Sequence, residues 1–253
     1  MLFWFRAQVK DHGLPTALSL LLRVAWNRSF VQLSNRLLAE KVECPCCGWK
    51  GRRFFDYIEA GYSVPNAACP TCDSHSRHRA LNLWLTKEYS VKTKKGRALV
   101  FAPERALAPL WNSARELRTI RTDIEATRGV NVLADVMHLP FVDESVSLIW
   151  CHHVLEQVSD DRLAMRELRR VLSEAGGELI ISAGLSGLDE TQELGAANKM
   201  LSGNRRLYGN DFAQRLQAAG FKVTPMKYHL TASEMKRFGI FPESFYCCSR
   251  ADL

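Results

Sequence analysis

Residues 146–183 read VSLIWCHHVLEQVSDDRLAMRELRRVLSEAGGELIISA, and this stretch decides the fold class. Val146 to His153 is apolar but for Ser147 until it ends in two histidines, the pattern of a central, buried strand. Asp160 or Asp161 then offers a side-chain oxygen to the first free N–H groups of a helix, DRLAMRELRRVL. Within it Ala164, Leu168, Val171 and Leu172 share one apolar face. Gly176 and Gly177 stop the helix, and ELIISA (178–183) is a second buried strand. A strand, a helix and a strand in this order require a parallel pair joined by a right-handed crossover.

The same alternation extends in both directions. ALVFA (98–102), RTIRTD (118–123) and NVLAD (131–135) read as strands, and ERALAPLWNSARE as a helix interrupted at Pro109. Downstream, GNDFAQRLQAAG (209–220) reads as a helix ending in glycine, FKVTPMKY as a strand and FYCCSR as a closing strand. The expected fold class is therefore α/β, a doubly wound, mostly parallel sheet over residues 98–253. In such sheets ligands sit at the carboxyl ends of the strands, at the switch point. Two strands end there in acids. Asp123, after the second strand, is placed to accept from ribose hydroxyls, and Asp135, after the third, from an adenine amino group. The alternative for each is an ordinary turn or cap.

Upstream, the texture differs. Of eight cysteines, five lie between 44 and 72. Cys44-x-x-Cys47 and Cys69-x-x-Cys72 form two knuckles separated by 21 residues, which suits four sulfurs around structural Zn²⁺. Gly48 follows the first knuckle, and GRRFFDYIEAGY between them reads as a hairpin. The pattern is a zinc ribbon. Cys46 is surplus, and Cys247 and Cys248 read as buried thiols. Residues 1–40 form a helical arm, with Leu18, Leu21, Leu22, Leu33 and Leu37 at helical spacing and Arg23, Arg28 and Arg36 between them. Such a helix is expected to pack on its own protein, and a membrane-surface element is the alternative. Residues 41–97 comprise the ribbon, a helix over 75–90 and the basic linker KTKKGR.

Charge follows the same division. Residues 1–97 hold 16 basic and 7 acidic residues, a net +9, whereas residues 98–253 hold 18 and 20, a net −2. The excess belongs to the arm, ribbon and linker, and points either to an anionic partner or to a solvated basic surface. A hydrophobic fraction of 47% and a charged fraction of 24% exclude wholesale disorder, collagen and coiled coil. The run ALSLLLRVAW (17–26) falls short of the ~18 apolar residues a transmembrane helix needs, and the start MLFWFRAQVK has the wrong order for a secretory signal. A cytoplasmic location without a transmembrane segment is expected; the oligomeric state is open.

LADVMHLPFVDESVSLIWCHHVLEQVSDDRLAMRELRRVLSEAGGELIIS resembles the central stretch of class I S-adenosylmethionine-dependent methyltransferases of the methyltransferase type 11 group. RLYGNDFAQRLQAAGFKV resembles the later helix and strand of that family, and the cysteine module a ribbon that precedes some of its members. The resemblance implies an enzyme that uses S-adenosyl-L-methionine. It implies a cofactor site built from Phe101, Ala102, Pro103 and Glu104, then Asp123 and Ile124, then Asp135, Val136 and Met137, with Cys151 at the end of the central strand. The family's Gly-rich loop is absent. Phe101 stands where its acid stands, and APE replaces the glycines, with Glu104 available for the methionine amino group. The competing consequence of that loop is an inactive domain. His152 and His153 are the candidate general bases, while Gln157 replaces the family's second histidine.

Three functions are consistent with these residues. The first is a methyltransferase acting on a small molecule or glycan-like metabolite. The second is an RNA methyltransferase whose ribbon meets phosphates through Arg52, Arg53, Arg77, His78 and Arg79 and stacks bases on Phe54, Phe55 and Tyr57. The third is a non-catalytic zinc-ribbon binding protein with a pseudo-methyltransferase domain.

Overall fold

A computed structural model describes residues 2–127, 129–198, 203–241 and 243–251. The chain divides into two compact units. The first contains Met1–Tyr89, Arg105–Leu107 and Tyr228–Pro242; the second contains Ser90–Glu104, Ala108–Lys227 and Glu243–Leu253.

The first unit begins with two helices, α1 (Leu2–His12) and α2 (Leu14–Leu37). Gly13, at φ 81°, breaks them apart, a conformation that costs a glycine little. Strands β1 (Val42–Glu43) and β2 (Lys50–Gly51) pair antiparallel around the first cysteine knuckle. Strands β3 (Phe55–Glu59) and β4 (Tyr62–Ala68) form the hairpin expected between the knuckles. Helix α3 (Ser76–Lys87) follows the second knuckle, its entry closed by His75 N donating to His78 Nδ1 at 3.0 Å.

The second unit is built on a seven-stranded sheet. Its strands are β5 (Gly96–Phe101), β6 (Leu117–Asp123), β7 (Val132–Leu133), β8 (Leu148–His152) and β9 (Glu178–Ser182), completed by two C-terminal strands. Helix α4 (Ala108–Ser113) joins β5 to β6, and α5 (Asp161–Val171) joins β8 to β9. After β9 comes a separate two-stranded ribbon, β10 (Gln192–Asn198) with β11 (Asn204–Leu207). Then follow α6 (Phe212–Ala218), β12 (Phe221–Met226) and, closing the chain, β13 (Phe245–Arg250). The spatial order is β12-β13-β9-β8-β5-β6-β7. Pairings from β7 through β9 are parallel, and β13 inserts antiparallel between β9 and β12. The strand order reverses between β5 and β8, which places the switch-point crevice beyond Phe101 and His152.

Why α5 holds its place is visible in its residues. Asp160 accepts Leu163 N at 2.9 Å as the N-cap, and Ala164, Leu168 and Val171 are fully buried against Leu99, Ile149, Leu179 and Ile181 of the sheet. Leu168 and Val171 each contribute about 1.5–3 kcal/mol of burial, and Ala164 less. Gly177 is required at the helix exit, since a Cβ there would lie 2.4 Å from Ser173 O.

Three expectations change. The helix expected over 104–116 begins only at Ala108, because Pro109 has no N–H and fits the first turn rather than interrupting a longer helix. The strand expected over 131–135 pairs only at Val132 and Leu133. Residues 228–242, expected within the 98–253 domain, pack in the first unit. There helix α7 (Ala232–Phe238) and Ile240 join Ala80 and Leu83 of α3 in one apolar cluster.

Candidate functional site

In the first unit, the two knuckles converge. The sulfurs of Cys44, Cys47, Cys69 and Cys72 all lie within 4.8 Å of one another. Cys44 Sγ is 3.6 Å from Cys72 Sγ, and Cys47 Sγ is 3.7 Å from Cys69 Sγ. Tetrahedral Zn²⁺ with Zn–S near 2.3 Å requires sulfurs ~3.8 Å apart. The donor set and the spacing therefore fit zinc. Backbone bonds shape each knuckle: Gly48 N donates to Cys44 O at 2.8 Å with Gly48 at φ 74°, and Asp73 N donates to Cys69 O at 3.0 Å. Cys46 lies outside the set, its Sγ directed at His78 O at 3.6 Å.

Four thiols this close share protons unevenly. The S–H groups of Cys46, Cys69 and Cys72 hold Cys44 far below the ordinary thiol range, whereas burial lifts Cys47 to about 11. A divalent cation removes that conflict by taking all four as thiolates.

Beside the cysteines lies Arg79, with no exposed surface. Its guanidinium donates to Phe238 O at 2.6 Å, Ala67 O at 2.9 Å, Ser74 O at 2.5 Å and Gly239 O at 2.8 Å, and it stacks 4.1 Å above the Phe54 ring. These acceptors are neutral carbonyls. Burial pushes Arg79 down and the cysteine sulfurs push it back up, so a tetrathiolate centre would supply the compensating charge. The residues read as an RNA surface are thus largely internal: Arg79, Phe54, Phe55 and His78 are buried, and Arg53 pairs with Asp56 at 2.7 Å. Arg52, Arg77 and Tyr57 retain partial exposure.

In the second unit, a cavity of about 390 Å³ opens at the switch point. Of the residues read as cofactor-binding, Phe101, Ala102, Asp123, Ile124, Asp135, Val136 and Met137 line it. Pro103 and Glu104 lie outside its lining, and Cys151 is fully buried in the core, where burial raises its thiol. Asp135 Oδ1 accepts Met137 N at 2.8 Å, and Asp123 Oδ1 accepts Glu125 N at 3.2 Å, which holds both carboxylates at the strand ends.

Two of the six described non-glycine residues with positive φ line this cavity, Ala102 at 43° and His153 at 52°. Left-handed backbone costs an ordinary residue roughly 1–2 kcal/mol, and such strain concentrates at functional sites. They sit just past the ends of β5 and β8. Ala102 thus holds with a methyl group the kind of turn that glycines make without strain.

The two candidate bases part company. His152 is buried, its ring 4.0 Å from that of Trp150 and its Nδ1 2.5 Å from Ser182 Oγ, and it does not line the cavity. His153 lines it, with Nδ1 3.0 Å from Glu156 Oε1 and Nε2 3.9 Å from Glu243 Oε2. Glu156, 3% exposed, also accepts Gly184 N at 2.8 Å, and its Oε2 is buried with no hydrogen-bond partner among the described residues. Sequence reading did not place Ala134, Val154, Val158, Ser159 or Arg205 in this wall. Arg205 arrives on β11, whose residues carry no clear strand periodicity, and its N donates to Glu156 O at 2.7 Å.

Residues 111–181 match a family model described as a methyltransferase domain. A Thermotoga maritima structure titled an SAM-dependent methyltransferase, possible histamine N-methyltransferase, is 19% identical, with a TM-score of 0.47 over 69% of this chain and 91% of that one. An S-adenosylmethionine-dependent methyltransferase from Mesorhizobium loti is 13% identical, with a TM-score of 0.48 over 66% of this chain and 97% of that one. A complex of the Haloferax volcanii Trm112 activator with a methyltransferase is matched at 14% identity and a TM-score of 0.46, over 69% and 94%. No curated protein matches the chain.

Proposed function

Because residues 111–181 match a methyltransferase domain and the surrounding sheet has the class I Rossmann-like order, we propose that this protein transfers a methyl group from S-adenosylmethionine to a small-molecule or glycan-like acceptor. The observation that carries this reading is the cavity, where both strand-end carboxylates and the Phe101–Ala102 turn face one space. Asp123 would hold the ribose hydroxyls and Asp135 the adenine amino group, with Ile124, Val136 and Met137 against the ring. When bound, S-adenosylmethionine supplies an electrophilic sulfonium methyl.

The chain's own contribution is alignment and proton removal. His153 is the candidate base. It accepts the proton that an acceptor O–H or N–H loses as its oxygen or nitrogen gains the methyl group, and Glu156 orients the ring through Nδ1. A small acceptor is favoured over RNA because the ribbon's Arg79, Phe54, Phe55 and His78 are committed to the interior.

Calorimetric titration of the zinc-loaded protein with S-adenosylmethionine tests the reading. Saturable binding is expected, at least tenfold weaker in Asp123→Ala. Absence of binding to the parent protein would sink it and favour the pseudo-enzyme.

A further inference from the structure

Helix α2 uses only one side on the protein itself. Ala17, Leu20 and Val31 are buried on that side, where Asn27 Nδ2 donates to Asp56 Oδ2 at 2.7 Å and Asn35 Nδ2 to Arg53 O at 3.1 Å. On the other side stand Leu14, Leu18, Leu22, Trp26, Phe30, Leu33 and Leu37, each between 46% and 76% exposed. At about 100° per residue these seven positions fall within an arc of about 160°. Scattered exposed leucines need no explanation, but a ridge running the length of a 24-residue helix does. The arm was expected to pack its apolar face on its own protein, and this ridge is the part that does not.

The charge of α2 is of one sign. At the same ~100° spacing Arg23 and Arg28 fall just outside the two edges of the ridge and Arg36 within its arc, all three are exposed, and the helix has no aspartate or glutamate.

We propose that α2 lies in the headgroup plane of an anionic lipid bilayer, its outer ridge reaching the acyl boundary and its arginines meeting the headgroups. The apolar ridge, with Trp26 and Phe30 in its middle, and the arginines beside and within it supply the two things on which binding at a bilayer surface depends, apolar area to bury and attraction to anionic lipid. The helix lies on the surface rather than crossing it, since among the described residues no helix is long and apolar enough to span a membrane. A second copy of the chain is the competing occupant. Pairing ridge against ridge would bring two helices of three arginines together with no carboxylate on either, whereas helix pairs are ordinarily matched by opposite charges. Anionic headgroups supply the charge that both helices lack. This inference is independent of the methyl-transfer reading.

The test is co-sedimentation of the whole 253-residue, zinc-loaded chain with vesicles of phosphatidylcholine and phosphatidylglycerol in equal parts, and with phosphatidylcholine alone. The parent is expected to pellet with the anionic vesicles, less with the neutral ones, and less again at high salt. The double substitution Leu22→Glu, Trp26→Glu is expected to weaken binding at least tenfold with zinc content and circular dichroism unchanged, because both side chains point outward. Arg23→Glu with Arg36→Glu is expected to weaken it while leaving the ridge intact. The proposal is overturned if the parent stays in the supernatant with anionic vesicles, or if the ridge variant pellets as well as the parent. It is also overturned if light scattering finds a dimer that the ridge substitution makes monomeric while vesicles capture neither, which would assign the ridge to a second copy.

Discussion

His153 Nδ1 and Glu156 Oε1 lie 3.0 Å apart, and the same carboxylate oxygen receives Gly184 N at 2.8 Å. One buried glutamate thereby ties a strained residue at the end of β8 to the loop after β9. Removing it leaves the Gly184 N–H and the imidazole without this partner, at about 1–3 kcal/mol. Glu156→Ala is expected to lower stability by that amount in chemical denaturation. Glu156→Gln, which keeps an acceptor for Gly184, is expected to recover most of the loss. Equal stability of Glu156→Ala and the parent would show that the contact does not hold the loop.

Ala102 predicts opposite outcomes for two small changes. At φ 43°, Ala102→Gly removes strain of roughly 1–2 kcal/mol but adds unfolded-chain entropy of about 0.4–1 kcal/mol, so stability is expected to hold or rise slightly. Ala102→Val adds a β-branched side chain in the same conformation and is expected to destabilise by about 2 kcal/mol or more. Thermal denaturation of the two variants separates them, and a stable Ala102→Val would contradict the left-handed turn.

Zinc binding is expected at one ion per chain. Cys46→Ser should keep that stoichiometry, and Cys47→Ser should lose it, as read by a chromogenic chelator under denaturing conditions. Because all four ligands bind as thiolates, loading releases protons and affinity falls as pH falls. A Cys46→Ser protein without zinc would mean that the ligand set is wrong.

Arg79 is the cation of the ribbon's interior. Arg79→Met removes donors from four carbonyls and the charge opposite the thiolates, and is expected to cost about 3–5 kcal/mol and weaken zinc at least tenfold. Arg79→Lys is expected to rescue little, since one ammonium has three donors and no planar fork. Full rescue by lysine would show that charge alone matters there.

Cys247 and Cys248 predict a slow reaction. Burial raises Cys247 to about 11 and Cys248 higher still, so at neutral pH little thiolate is present. Alkylation mapped by mass spectrometry is expected to be slow at pH 7 and to accelerate toward pH 9. Rapid labelling at neutral pH would mean that the β12–β13 edge opens.

The features legible in the sequence were those written in short-range spacing. The β-α-β rhythm around α5, the cap at Asp160, the two cysteine knuckles, and the acids at the end of β6 and two residues past β7 each follow from residues within a few positions of one another, where backbone geometry leaves few choices. What only the tertiary structure decided depends on contacts distant in the chain. Arg79 reads as a surface cation until Phe238 O, 159 residues away, is found at 2.6 Å. Arg205 enters the cavity wall only because β11 folds back onto the loop after β8. Helix α2 carries apolar residues around much of its circumference, so its periodicity could not say which side is covered. Burial of Ala17, Leu20 and Val31 on one side and exposure of the Leu14–Leu37 ridge on the other decide it, because a helix of uniform propensity takes its orientation from what it packs against.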